Sequence, residues 1–439
     1  LSDLKNYKNI LNMSETATKL HLPVSHMAEN LIGSEIIKLA AEVNAKIKAG
    51  EKIYNFTIGD FNPKIFPIPS ELKQAIINAY LNDETNYPAA DGMQDLRDAV
   101  SGFLKRTQQL EYKSNEILIA GGARPVIYAI YKAIIDPGDG VLFPVPSWNN
   151  NHYCHLSGAK PIYIETKPEN NFMPTANEIK PHLSNTVLLA LCSPLNPTGT
   201  TFTEKALREI CELVIAENKR RGENEKPVYI LYDQIYSALT YGEIKHLDPV
   251  SLYPELRNYT IFVDGISKSF AATGVRVGWT FGPQRVIDKM KAILSHVGAW
   301  APKAEQLATA IFLNQVEISN KALIDFKKEI SARLDGFYNG FQTLKNEGFN
   351  VDAIAPQAAI YLTVKIDLKG QKTAEGKILE NMADVTKYIL DEAKIALVPF
   401  YAFGASKDST WFRLSVGTAK IDDINGAINN LRAALKKLN

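Results

Sequence analysis

In the stretch VDGISKSFAATGVRVGW a lysine, Lys268, follows an apolar run, and Arg276 stands eight positions on. A lysine amine that is partly desolvated and close to other cations loses basicity and can condense with an aldehyde to a Schiff base. The planar donor fork of an arginine suits a phosphate dianion. The residues between them, SFAATG, are small enough to let both side chains approach one ligand. A single lysine is far more often a solvated surface residue, so the weight of this reading depends on what other residues share its position in the fold.

Four other segments end an apolar run on a residue of the same kind of interest. ILIAGGARPVIYAIYKAI reads as a strand, two glycines and a helix with Pro125 suited to its first turn. The free amides and dipole of such a helix start attract phosphate, and Gly121 and Gly122 let an anion come close; the plain alternative is a tight turn that needs glycine. It is neither G-x-G-x-x-G nor a P-loop. FPVPSWNNN places Trp148 where its ring could stack on a flat heterocycle, although most tryptophans serve a core or an interface. CSPLNPTG holds Asn196 among turn-formers, which explain the prolines and the glycine better than the asparagine. YILYDQIYSAL ends a strand on Asp233, either a cap for a following helix or the carboxylate that a protonated ring nitrogen needs. Tyr236, three residues on, shares a helical face with it if the segment turns helical.

The elements that must position these residues can be read from the rhythm of the chain. ILIAGG, GVLFPVP, KPIYIET, TVLLALCS, PVYILYDQIY, YTIFVDG and RVGWTFG are short apolar runs separated by helix-length segments between about residues 115 and 285. This alternation predicts strand-helix-strand units and a mostly parallel sheet buried by helices on both faces, a large α/β domain. Ligands of such sheets sit beyond the carboxyl ends of the strands, where the candidate residues stand. SEIIKLAAEVNAKIKAG predicts an amphipathic helix capped by Ser34 and ended at Gly50, and KIYNFTIGDFNP a short strand entering a turn. Beyond Pro302 long helices lead into a second unit with strands YLTVKID, ALVPF and FRLSVG and a closing helix IDDINGAINNLRAALKKLN.

Composition narrows the classes of function. With 439 residues, 46% hydrophobic, 22% charged and a formal net charge of +1, the chain has the makings of a large core and no bulk attraction for nucleic acid or anionic membrane. No stretch approaches the ~20 apolar residues of a membrane span. Residues 1–12 lack the apolar centre of a secretory signal and, with Met13 and Ser14 following, read as an upstream extension. Cys154, Cys192 and Cys211 form no spaced framework, which points to a reducing compartment, by default the cytoplasm. His152, Cys154 and His155 in NHYCH match no zinc spacing, so no metal is expected. GISKS lacks the closing glycine of a serine nucleophile elbow.

From about Ser34 onward the motifs, in their order, resemble the class I/II aminotransferases, the aspartate aminotransferase-like fold type I enzymes dependent on pyridoxal 5′-phosphate (PLP). The resemblance implies the PLP-dependent transferase fold: a large domain with a mostly parallel seven-stranded sheet, and a smaller α+β domain built from both chain ends. The expected boundaries are 1–33 for an N-terminal extension or arm, 34–56 and 321–439 for the small domain, and 57–320 for the large one. SKSFAATGVRVGW is similar to the family's lysine motif, which implies Lys268 as the Schiff-base residue and Arg276 with Ser267 on the phosphate. Backbone amides of Gly122, Ala123 and Arg124 join them. Asp233 is implied at the pyridine nitrogen, Trp148 on the ring, and Asn196 and Tyr236 at the phenolic oxygen. Arg413 of FRLSVG, helped by Gly59 of TIGD, is implied at the substrate carboxylate, in a pocket shared with Trp148 and Asn196.

Tyr87 of TNYPAADG resembles a tyrosine that reaches the phosphate of a neighbouring subunit, which implies a homodimer with shared active sites. The implied reaction moves an amino group from an L-amino acid to a 2-oxo acid in two half-reactions, with Lys268 as the base of both. Two features depart from the family pattern. Gly265 replaces a frequent hydroxyl residue three positions before the lysine. In LSHVGAWAPKAEQ, where residues shaping the side-chain pocket often fall, His296, Trp300 and Lys303 occur but no arginine that would select dicarboxylates, so Trp300 or Lys303 is expected to line that pocket. Lyases, decarboxylases and cyclopropane-forming synthases use the same residues. A ligand-sensing module is the reading from another class, opposed by the lack of a helix-turn-helix or basic patch.

Overall fold

The structure, a computed structural model, describes residues 23–31, 33 and 35–439. Ser34, the expected helix cap, and the extension at residues 1–12 lie outside them. The chain divides after residue 33. On the first side one helical turn is described, His26–Glu29, whose N-cap Ser25 accepts the Ala28 amide at 3.2 Å. The unit beyond residue 33 holds every strand among the described residues.

This unit begins with a helix, Glu35–Lys48, and a two-residue strand β1 (Tyr54–Asn55). The seven apolar runs then form β2 (Ile117–Ala120), β3 (Gly140–Val145), β4 (Lys160–Glu165), β5 (Leu188–Cys192), β6 (Tyr229–Asp233), β7 (Thr260–Gly265) and β8 (Gly278–Phe281). They make one sheet in the order β2-β8-β7-β6-β5-β3-β4. Strands β3 to β7 pair in parallel, and β8 runs antiparallel to both β2 and β7.

Near-continuous apolarity follows from this position, because successive residues of a strand face opposite sides and both sides are covered. In β6, Ile230 and Tyr232 enter a core with Leu189, Phe262 and Phe281, while Leu231 joins Ala190, Ile261 and Val263 on the other face. The order reverses between β3 and β5, so the connections that leave their carboxyl ends diverge and open a crevice there.

The second assembly is an antiparallel sheet in the order β12-β13-β10-β9, from β9 (Val351–Ala353), β10 (Tyr361–Ile366), β12 (Val398–Pro399) and β13 (Trp411–Ser415). β11 (Ile395–Ala396) pairs in parallel with β1, Tyr54 opposite Ile395, which stitches the N-terminal segment to the C-terminal one. Helices Val316–Asn346 and Ile421–Leu435 close this core, where Phe56 meets the edge of Phe337 at 4.8 Å between centroids. The helices Ser70–Leu81 and Gln94–Gln108, and strand β9, were not anticipated from the sequence.

Three glycines control how closely the central turns pack. A Cβ on Gly265 would stand 2.8 Å from the Gly278 Cα, and one on Gly278 only 2.6 Å from the Gly122 carbonyl carbon. Backbone therefore lies on backbone, from the start of the helix Ala123–Ile134 through β8 to the end of β7. This accounts for Gly265 in place of a hydroxyl residue, since any side chain there would displace β8. A Gly278→Ala protein is expected to lose about 2 kcal/mol or more of unfolding free energy in a denaturant titration. Gly274→Ala, at a position with no atom within 4 Å of the new carbon, should stay within about 0.5 kcal/mol of the parent.

Candidate active site

The crevice is a cavity of ≈ 720 Å³, within the range of small-molecule sites. Its lining takes Trp148 from the segment after β3, Asn196 from that after β5, Asp233 from the end of β6 and Lys268 from the turn after β7. Arg276, from the loop before β8, and Arg124, from the helix start, face the same space, as do Ser267, Ala123, Tyr236, Gly59 and Arg413. Residues distant in sequence thus meet because most of them stand at or just beyond strand ends of the seven-stranded sheet, while Arg413 comes from within β13.

Gly122 carries φ +98 as the N-cap of Ala123–Ile134, and no side chain caps the first amides of that helix. A Cβ on Gly122 would fall 2.1 Å from the Arg276 guanidinium, so only glycine lets the arginine lie across the helix start. Arg276 itself has a left-handed backbone, φ +63, a conformation that costs a non-glycine residue about 1–2 kcal/mol. Its guanidinium donates to the carbonyls of Thr273 at 2.6 Å and Gly121 at 2.8 Å. The Arg124 guanidinium lies 5.4 Å from the Trp148 ring centre.

Of the two readings open for Asp233, a cap for a following helix is not found. No helix begins there; the Asp233 Oδ1 accepts the Ile235 amide at 3.1 Å, and the chain continues as a turn. The side chains of Gln234 and Ser237 donate to the buried Asp264 carboxylate at 3.1 and 3.2 Å, so local polar groups are committed to partners other than a helix. Tyr236 reaches the cavity from this turn rather than from a helical face. Burial pushes the Asp233 carboxyl up to about 6, with the Ile235 amide pulling it partly back.

Arg413 is 2% exposed and stands opposite Thr363 across β13 and β10. It donates to the Thr57 carbonyl at 2.6 Å and to Asn196 Oδ1 at 3.2 Å, and its Nε is buried without a partner. Its guanidinium is sandwiched near the rings of Tyr361 (4.8 Å) and Phe403 (4.9 Å). Four expected residues, Gly122, Tyr87, Trp300 and Lys303, are not part of the lining of this chain's cavity, Gly122 standing just behind it as the N-cap. Tyr87 is 81% exposed with its ring against the edge of Trp300, and Lys303 is held by Glu84 at 2.6 Å and Asn86 at 2.7 Å.

Sequence reasoning passed over Tyr361, Asp60 and Cys192, all part of the lining, and Ile36 and Ala40 of the entry helix at the same cavity. A free thiol, Cys192, pairs in register with Asp233 across β5 and β6. Asp60 and Cys192 lie inside TIGD and CSPLNPTG but were not singled out there; Tyr361, Ile36 and Ala40 carry no local motif, and only the fold brings them in.

The Lys268 amine donates to the Gly59 carbonyl at 2.7 Å. Burial depresses its pKa to about 8; Asp60 opposes that shift, and Arg413, Arg124 and Arg276 add to it. At pH 7 the neutral, nucleophilic amine is therefore roughly a tenth of the population, far more than for a lysine at its ordinary value. In cofactor-free protein with ¹³C-dimethylated lysines, one methyl resonance should titrate near pH 8. Asp60→Asn should move that midpoint lower, because it removes the anion that favours the charged amine.

A family model described as aminotransferase class I and II matches residues 51–431. Aspartate aminotransferase of Rhizobium meliloti (strain 1021) is 29% identical over 412 residues, 92% of this chain and 94% of that protein. A probable aspartate/prephenate aminotransferase of Rickettsia felis is 31% identical over 377 residues, covering 85% and 87% respectively. The crystal structure of the Rhizobium meliloti aspartate aminotransferase matches with a TM-score of 0.85 at 28% identity, over 95% of this chain and 100% of that one. With its sheet order, its cavity and this match across most of its length, the chain belongs to the class I and II aminotransferases.

Proposed function

We propose that this PLP-dependent aminotransferase moves an amino group from an L-amino acid to a 2-oxo acid in two half-reactions at one cavity, with Lys268 as tether and proton carrier. The observation that carries this reading is the Lys268 amine, depressed to about 8 by burial and held at the cavity wall by the Gly59 carbonyl. When bound, PLP supplies an aldehyde that a lysine can capture and a pyridine ring that takes up negative charge.

The residues present fit that group. Four cations line the cavity (Arg124, Lys268, Arg276, Arg413) against two carboxylates (Asp60, Asp233), an excess that suits a phosphate together with a substrate carboxylate. The uncapped helix start at Ala123 and the guanidinium of Arg276 across it form the phosphate end, with Ser267 beside them. Asp233 would hold the ring nitrogen, Trp148 would cover the ring and Asn196 would hold the phenolic oxygen, all three being part of the lining. Arg413, whose buried Nε lacks a partner, takes the substrate carboxylate.

The Lys268 Nζ would take the α-proton of the amino acid and deliver it to the carbon that was the cofactor's aldehyde, the reverse serving the second half-reaction, so one base serves both. The family match and the names of the relatives favour amino-group transfer over lyase, decarboxylase, synthase or sensing roles. The exposed Tyr87, together with Ile77, Tyr80, Leu81 and Ile311 on the packed helices Ser70–Leu81 and Lys303–Asn314, supports a homodimer in which Tyr87 serves the partner's phosphate. We assign residues 34–56 and 321–439 to the small domain and 57–320 to the large one, and the enzyme to the cytoplasm, in keeping with its three free thiols.

Purified, PLP-loaded protein should absorb in the visible. An amino-acid donor alone, with aspartate the first to try, should convert that band to a near-ultraviolet one, and 2-oxoglutarate should restore it. Release of ammonia or carbon dioxide would instead support lyase or decarboxylase chemistry. Arg413→Lys should raise KM for the amino acid by about 100-fold through loss of the two-pronged contact while leaving the visible band in place.

A further inference from the structure

Tyr361, at the start of β10, is 2% exposed and touches three parts of the site at once. Its hydroxyl lies 2.6 Å from that of Tyr236, with the two rings edge to face at 5.6 Å. Among the described residues Tyr236 is the one hydrogen-bond partner of this hydroxyl. Its ring face carries the Arg413 guanidinium at 4.8 Å. A Cβ on Gly59 would stand 2.9 Å from the Tyr361 oxygen, so the residue whose carbonyl holds Lys268 is also the one that makes room for this hydroxyl. The backbone of Tyr361 is fixed as well, since a Cβ on Gly199, at φ +71, would fall 2.2 Å from the Tyr361 carbonyl oxygen.

A hydroxyl that accepts a hydrogen bond becomes a better donor, because chains of hydrogen bonds polarise one another. We infer that Tyr361 is a positioning residue that donates to Tyr236, strengthens and aims the proton Tyr236 gives to the cofactor's phenolic oxygen, and seats Arg413 with its ring. The inference rests on the cofactor reading above. It gives the hydroxyl and the ring of Tyr361 separate duties: the first tunes the chromophore and the second supports the carboxylate site.

The test is a visible-absorbance titration of the PLP-loaded protein between pH 5 and 9, in the parent, Tyr361→Phe, Tyr236→Phe and the double variant. Donation to an anionic oxygen lowers the pKa of its protonated form, so losing the Tyr361 hydroxyl should raise the chromophore midpoint by about half a unit. The double variant should titrate like Tyr236→Phe alone. Tyr361→Phe should keep KM for the amino acid near the parent value, whereas Tyr361→Leu, which removes the ring, should raise it several-fold. Placing 3-fluorotyrosine at 361, a more acidic donor in the same shape, should displace the midpoint downward and serves if Tyr361→Phe fails to fold. A normal band with an unmoved midpoint, or a full Tyr361→Phe shift persisting without Tyr236, overturns the inference alone. Absence of any visible band in the parent overturns the cofactor reading and this one with it.

Discussion

Everything in the active site answers to the crowding of positive charge around one buried amine. Three guanidiniums and the Lys268 amine line a single cavity with two carboxylates to offset them. Burial disfavours the charged amine first, and repulsion from the guanidiniums adds to that against the pull of Asp60, so its pKa falls to about 8. The same repulsion is an attraction for any ligand with a phosphate at one end and a carboxylate at the other. Burial and charge excess thus act together, on the amine of the protein and on what it binds.

Bringing these cations so close requires backbone that packs without side chains. The contacts among Gly122, Gly265 and Gly278 draw the helix start, the end of β7 and β8 together, so that Lys268 and Arg276, on the segment that joins β7 to β8, line one cavity. The second sheet makes the complementary contribution. β13 delivers Arg413 and β10 delivers Tyr361, while β1, paired to β11, leads directly into Thr57 and Gly59. Arg413 donates to the carbonyl of Thr57 and Lys268 to that of Gly59, so one short segment, 57–59, tethers cations from both sheets.

Most of the large sheet was legible in the sequence because its strands other than the exposed edge strand β4 are buried on both faces and so appear as apolar runs, several of them followed by a residue that apolar burial does not explain. Asp233 and Lys268 could be picked out this way. Tyr361 could not: it opens YLTVKID, which reads as an ordinary strand, and its hydroxyl finds Tyr236 only across 125 positions of chain. Of the two readings open for Asp233, the helix cap is not found, because Asp233, Gln234 and Ser237 all spend their side chains on local or buried partners. Arg413 lies in a strand with no local mark of function, and only the family resemblance singled it out. The helices Ser70–Leu81 and Gln94–Gln108 bury just one face, a weaker pattern than that of the central strands.

The most direct measurement is borohydride reduction of the PLP-loaded protein followed by peptide mapping. A single phosphopyridoxyl adduct on the peptide containing Lys268 is the predicted result. An unmodified Lys268, or an adduct carried by another lysine, would contradict the assignment of this amine as the cofactor's anchor.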